Sequence, residues 1–297
     1  ALAGALGVSL FRGMPTLLLQ REMRFQTLVP IDLAETATFM SVAVALAWLG
    51  GGIWSFVAAV WTSRLVGAAL IWRARPWPIG FGWDPATLRR ALPTAGPLRL
   101  KDAISLVRMA MNPIVVGSLV GLPAVGYVTW AEGLASLAGF AAGAVNRVAL
   151  STFSRLQEDH ESVRQTLRES ARIGCAWYFP VAMLLIGLAP SIVHWIYSDR
   201  WAPAVPVLQL LLLSGMFIAP ILVYDYLFIA LGRASWVLGF EVATTALNLL
   251  LGIPLILKFG VLGYPMTKLL IGAAAVGVYL YLGRRLTGEV PLGVVLA

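Results

Sequence analysis

Nine apolar runs, each close to the length of a membrane-crossing helix, follow one another along almost the whole chain, at roughly 1–20, 27–49, 52–73, 95–120, 122–150, 172–190, 204–231, 235–256 and 260–283. The hydrocarbon core of a bilayer is about 30 Å thick, which about 20 helical residues cross at about 1.5 Å each. No soluble core could hide so much apolar surface: 59% of the 297 residues are hydrophobic and 12% are charged, against about 25% charged in a soluble domain. The expected fold is all-α, a polytopic transmembrane bundle of about eight complete helices plus one partial. The chain opens on Ala1, and its first apolar run has neither the basic flank nor the cleavage site of a signal peptide. The sequence therefore reads as continuing upstream.

The connections alternate in charge. Those around Arg21 and Arg24, from Arg73 to Lys101, from Arg155 to Arg172, at Arg233, and at Arg284 and Arg285 are basic, whereas the intervening ones are short and hold only Arg200 and Lys258. Short basic connections stay in the cytoplasm, so the first set is expected inside, and each crossing agrees with its neighbours. Trp48, Trp54, Trp195 and Trp201 then fall near the outer boundary and Trp72 and Trp77 near the inner one, while Trp61, Trp130 and Trp177 lie deeper as packing residues. The net charge of +8 is accounted for by this topology, and no nucleic-acid partner is expected.

Two of the basic connections are long enough to fold. Asp84 can cap a helix with Pro85 at its first position and Leu88 and Leu92 on one face. Phe153, Leu156, His160, Val163 and Leu167 share one face of a second amphipathic helix, with Glu158, Asp159, Glu161, Arg164 and Arg168 on the other. Both are expected on the inner membrane surface. Pro113, Pro180, Pro220, Pro254 and Pro265 interrupt spans as kinks or hinges. Gly139 and Gly143 form a GxxxG step that would allow close helix approach.

The sequence lacks HExxH, paired CxxC, Walker and GxSxG patterns. Cys175 stands alone and His160 and His194 fall on opposite sides of the membrane, so no metal and no cofactor is expected. What remains is charge within the spans. Arg12, Arg64, Arg108 and Lys268 lie deep, where a cation costs about 2.5 to 3.5 kcal/mol on insertion scales. Each must snorkel to the headgroups, pair with an acid, or face a wet cavity that binds an anion. The acids within spans are Asp32, Glu35, Glu132, Asp225 and Glu241. Asp225 and Glu241 lie near Arg233 and are expected in a structural ion pair there, which leaves Glu132 as the candidate for ion coupling.

Three stretches carry a resemblance: LLLQREMRFQTLVPIDL (17–33), STFSRLQEDHESVRQTLRES (151–170) and IYSDRWAPAVPVLQLL (196–211). Together they resemble the polysaccharide flippases of the multidrug, oligosaccharidyl-lipid and polysaccharide exporter superfamily, over essentially the whole chain. The resemblance implies a two-lobed transporter: 1–75 as the remainder of an N-terminal bundle, 76–94 as a cytoplasmic connection and 95–297 as the C-terminal bundle. It also implies that roughly three helices precede residue 1. Its cargo would be a polyprenyl-pyrophosphate-linked oligosaccharide, flipped to the outer leaflet of the bacterial cytoplasmic (inner) membrane for surface polysaccharide synthesis. Membrane lipids and other envelope polysaccharide assembly proteins would be its partners. Arg64, Arg108, Lys268 and Arg12 are then the candidates for binding the cargo's pyrophosphate, by depth and not by a matched motif. Where many relatives carry Asp-Arg before a helix-central Val-Gly, this chain has Asn112 and Pro113 before Val116 and Gly117. A drug or cation antiporter of the same superfamily, and a membrane enzyme or scaffold of envelope glycan assembly, are the competing readings. Cations inside the spans count against a cationic cargo, and the short outer connections count against a catalytic face.

Overall fold

The computed structural model describes residues 12–20, 22, 24–76, 84–156 and 159–287. Expectations that fall on residues 1–11, on Arg21, Trp77 and Glu158, on the side chains of Leu88, Asn112, Arg155, His160 and Arg285, and on Gly143 of the GxxxG step lie outside what is described.

The described residues are helical almost throughout and contain no strand. After α1 (12–20) come α2 (Phe25–Trp48), α3 (Trp54–Ala74), α4 (Pro85–Leu119), α5 (Leu122–Leu156), α6 (His160–Ile192), α7 (Ala204–Ile218), α8 (Leu222–Ala230), α9 (Ala234–Phe259) and α10 (Gly263–Thr287). Five stretches among them are long and apolar enough to cross a membrane: Phe25–Trp48, Trp54–Ala74, Glu161–Tyr197, Ala204–Ala230 and Ala234–Leu282, the last containing both α9 and α10. The chain is a multi-pass membrane protein. Its contacts divide it into two compact units, Ala1–Trp83 and Asp84–Ala297.

In the first unit α2 and α3 form an antiparallel hairpin. Its turn places Gly50 and Gly52 at φ of 79° and 52°, a region glycine enters without steric cost. Leu19, Leu28, Ile31 and Ile71 make the core. At the other end Glu22 joins Arg75 at 2.8 Å and Arg24 at 3.2 Å, so the basic end of the hairpin is tied by one acid.

In the second unit α4 packs on α9, α5 on α6, and α7 on α10. One core cluster centres on Val207, Leu208 and Leu212 of α7. The other centres on Tyr224, Leu227 and Phe228 of α8 with Phe153 and Tyr279. Among the prolines named from sequence, Pro113, Pro180 and Pro254 are accommodated inside helices. Only Pro220 ends one, splitting the run at 204–231 into α7 and α8.

Four expectations need correction. The Asp84 cap forms, its carboxylate accepting from Ala86 N–H at 3.0 Å, but the helix it starts runs on through Pro93 and Pro97 into α4 instead of standing apart. The second amphipathic segment is two helix ends and not one helix. α5 stops at Leu156, and Asp159 caps α6 by accepting from Glu161 N–H at 3.1 Å and Ser162 N–H at 3.3 Å. Trp177 is 55% exposed, because α6 turns Cys175, Tyr178 and Ala182 into the core instead. Gly139 makes no close approach, since a Cβ there would meet nothing within 4 Å. A tight site is instead Gly215, where a Cβ would collide with the Tyr178 ring, whose hydroxyl donates to Leu212 O at 3.2 Å.

Candidate functional site

Helical spacing builds a polar wall in the second unit. Lys101, Ser105 and Arg108 repeat at intervals of four and three along α4, Glu241, Thr244 and Asn248 at three and four along α9, and Tyr264 and Lys268 at four along α10. Residues so spaced share one helix face. The three faces converge on a cavity of about 210 Å³ whose lining includes Lys101, Arg108, Asp225, Glu241, Asn248 and Lys268.

Two of the cations there are held in the same way. Arg108 donates through Nε and Nη2 to a single oxygen, Oε1 of Glu241, both at 3.0 Å, and Ser105 Oγ donates to that oxygen at 2.7 Å. Lys268 Nζ donates to Oε1 of Glu132 at 2.8 Å, and the Tyr264 hydroxyl donates to the same oxygen at 2.5 Å. Lys268 also lies over the Tyr264 ring, 5.0 Å from its centroid. Each unit is therefore a hydroxyl, a carboxylate and a cation meeting at one oxygen. Two charges on the same wall lack an opposite partner within 4 Å among the described residues. Lys101 is one. Asp225 is the other, accepting from the Tyr279 hydroxyl at 2.7 Å.

The first unit treats its charges differently. Arg12 donates to both Asp32 and Glu35, and Arg64 Nη1 donates to the second oxygen of Glu35 at 3.0 Å. Asp32 and Glu35 stand three residues apart on α2 and Arg64 faces them from α3. Gly67, one turn beyond Arg64, leaves the room: a Cβ there would lie 2.6 Å from the Glu35 carboxylate and 3.2 Å from the Arg12 guanidinium. The cluster borders a space of about 500 Å³ lined also by Thr36, Phe39, Val60 and Ser63.

The four cations singled out by depth thus do occupy polar settings. Arg108 and Lys268 share one cavity; Arg12 and Arg64 share another cluster in the other unit. Arg12 is neutralised by two acids, and Glu132, the ion-coupling candidate, is paired with Lys268. The expected pairing of Asp225 and Glu241 near Arg233 is not found. Glu241 lies two turns into α9, facing α4 and Arg108, while Arg233 sits in the turn before α9 with its guanidinium 5.0 Å from the Trp236 ring. Sequence reasoning missed Ser105, Tyr264, Lys101 and the Asp225–Tyr279 bond. The first three had a signal, since each lies three, four or seven residues before a cation already singled out.

At the far end of α6 the chain passes through a π turn (Val193–Tyr197) and a 3₁₀ turn (Asp199–Trp201), with Ser198 at φ 92° between them. His194 Nδ1 and Asp199 Oδ1 lie 3.1 Å apart there. Trp130, Tyr197 and Trp201 pack ring against ring, 5.3 to 6.0 Å between centroids, and Trp195 projects outward, 82% exposed. Trp195 and Trp201 were expected at the outer boundary and Trp130 deeper, and the structure packs Trp130 directly against Trp201.

Residues 1–206 match a family model described as polysaccharide biosynthesis protein. The chain is 26% identical over 233 residues to the succinoglycan biosynthesis transport protein ExoT of Rhizobium meliloti (strain 1021), an alignment that covers 77% of this chain and 47% of that protein. The chain thus spans about half the length of this curated relative. No solved structure matches it.

Proposed function

The chain belongs to the polysaccharide biosynthesis protein family, and from that premise we propose that it serves polysaccharide export by flipping a lipid-linked oligosaccharide across the bacterial cytoplasmic membrane. It does so as a transporter, with no covalent chemistry of its own. The observation that carries this reading is the pair of deep cations, Arg108 and Lys268, on the wall of one cavity with Lys101 beside them. A pyrophosphate linking a polyprenyl chain to a glycan needs cations at membrane depth. Arginine meets it with a planar fork that can bond two oxygens at once. In the first unit Arg64, the less buried of the two guanidiniums there, is the group open to an anion of the same kind, and Arg12 braces the acids beside it.

The test is cellular. In a strain deleted for the gene, polyprenyl-linked repeat units should build up on the cytoplasmic face and surface glycan should disappear. Normal surface glycan without such a build-up would overturn the reading. Arg108→Ala and Lys268→Ala should each abolish export while the protein still inserts at wild-type level, and full export from both would show that these cations serve only packing.

A further inference from the structure

The two cation sites of the second unit share a wiring that goes beyond holding charge inside a membrane. In each, one carboxylate oxygen receives both a cation and a hydroxyl: Ser105 and Arg108 on Glu241, Tyr264 and Lys268 on Glu132. Arg108 is held by one oxygen through two of its N–H groups, and not through the parallel two-oxygen contact that makes Arg–carboxylate and Arg–phosphate pairs strong. A ligand that offers two oxygens improves on that contact. The hydroxyl then matters, because a carboxylate that loses its cation inside the protein must keep some donor or bear the cost of an unpaired buried charge.

We infer that Glu241 and Glu132 are exchangeable counter-ions: each occupies its cation while the cavity is empty and yields it to a phosphate-bearing headgroup, remaining bonded to Ser105 or Tyr264. This rests on the cargo proposed above and assigns Ser105 and Tyr264 as positioning residues that touch the carboxylates and not the cargo. The cavity supports a headgroup as the occupant. Its volume of about 210 Å³ falls below the roughly 300 Å³ at which sites for whole small-molecule ligands begin, so it takes the charged part of an amphiphile and leaves the remainder outside. Charge balance supports exchange as well. The three cations Lys101, Arg108 and Lys268 stand against the three carboxylates Glu132, Asp225 and Glu241, so the resting site is neutral. An arriving anion finds Lys101 without an acid among the described residues, and it gains Arg108 or Lys268 only when a carboxylate gives that cation up.

The experiment uses the full-length protein in phosphatidylcholine nanodiscs with undecaprenyl pyrophosphate as the probe. Glu241→Gln removes the competing charge and keeps the shape, so affinity should rise about fivefold or more, while transport falls because release slows. Ser105→Ala should lower affinity about fivefold at an unchanged melting temperature, since the displaced carboxylate loses its donor, and Ser105→Thr should restore it. Should Glu241→Gln fail to fold, the Ser105 pair decides alone. A folded Glu241→Gln variant with unchanged or weaker binding, or Ser105→Ala with wild-type affinity, overturns exchange and leaves the cargo reading standing. Failure of the wild-type protein to bind the probe removes both. Inorganic pyrophosphate and phosphatidylglycerol, run as separate probes, distinguish the source of the phosphate. If phosphatidylglycerol binds as tightly and responds equally to Glu241→Gln, exchange holds and the polyprenyl cargo falls.

Discussion

The two units solve one physical problem in opposite ways. Both place arginine or lysine within membrane-spanning helices, where an unpaired charge is costly. In the first unit Asp32, Arg12, Glu35 and Arg64 form one connected chain in which Glu35 bonds a different guanidinium through each oxygen. In the second the cations stand in separate pairs, each hung on one oxygen, with Lys101 and Asp225 left over on the cavity wall. The chain holds its central pair, Arg12 and Glu35, through two partners each, whereas separate single-oxygen pairs can open one at a time. The first arrangement suits a strut and the second a site whose partners change.

The sharpest way to break this contrast is Glu35→Gln. If the first unit's network is a strut, removing the shared negative charge and one of its two acceptor oxygens leaves Arg64 without its acid and Arg12 with Asp32 as its one acid. The cost should be about 3 kcal/mol, at the lower edge of what breaking a buried pair takes because Asp32 remains. Thermal melting of the purified protein would read it. Combining Glu35→Gln with Arg12→Gln should recover part of the loss, because double substitutions within one network are not additive. Additive losses would mean that the four residues act independently and that the two units do not differ in kind.

Gly67→Ala probes the same strut with less force. The new methyl group would press on the Glu35 carboxylate and the Arg12 guanidinium, and such overpacking costs about 1 to 3 kcal/mol. Melting should fall and export should fall with it, since the cluster's geometry is what changes. Gly139, chosen from sequence as the close-packing glycine, makes a suitable control: a Cβ there meets nothing, so Gly139→Ala should leave melting unchanged or raise it slightly, as alanine favours helix.

That contrast between two glycines shows where the sequence was legible. Span positions follow from the length of an apolar run, a local property, and the runs at 27–49, 52–73 and 235–256 fall on α2, α3 and α9. Depth also follows from position in a run, so Arg12, Arg64, Arg108 and Lys268 could be picked out. Which residue a buried charge meets depends on how each helix is rotated and on which helices are neighbours. Arg108 and Glu241 are 133 residues apart and Lys268 and Glu132 are 136 apart. Nearness along the chain suggested Arg233 for Glu241, and rotation of α9 overruled it. The hydroxyls were within reach, because Ser105 and Tyr264 lie one turn before Arg108 and Lys268, but the acids they hold could not be named without the fold.

The smallest expected effect falls at the edge of the comparison, on Asp225. Its acceptor role toward Tyr279 is the one bond on the cavity wall, among the described residues, that joins a carboxylate to the protein without a cation. Tyr279→Phe removes the hydroxyl and leaves the ring, which stacks on Phe240 at 4.2 Å between centroids, so packing is kept and the bond alone is lost. Hydrogen bonds between membrane helices contribute about 0.6 kcal/mol on average and at most about 1.7, and the free energy of unfolding should drop by an amount in that range, read as a lower melting temperature. If the second unit's charges are free to change partners, Asp225 without its tether should turn to Lys101 on the same wall. The loss should then be smaller in the wild-type background than when Lys101→Met is added. An equal loss in both backgrounds would show that Asp225 is fixed in place, and that the second unit's charges hold to their partners as firmly as those of the first.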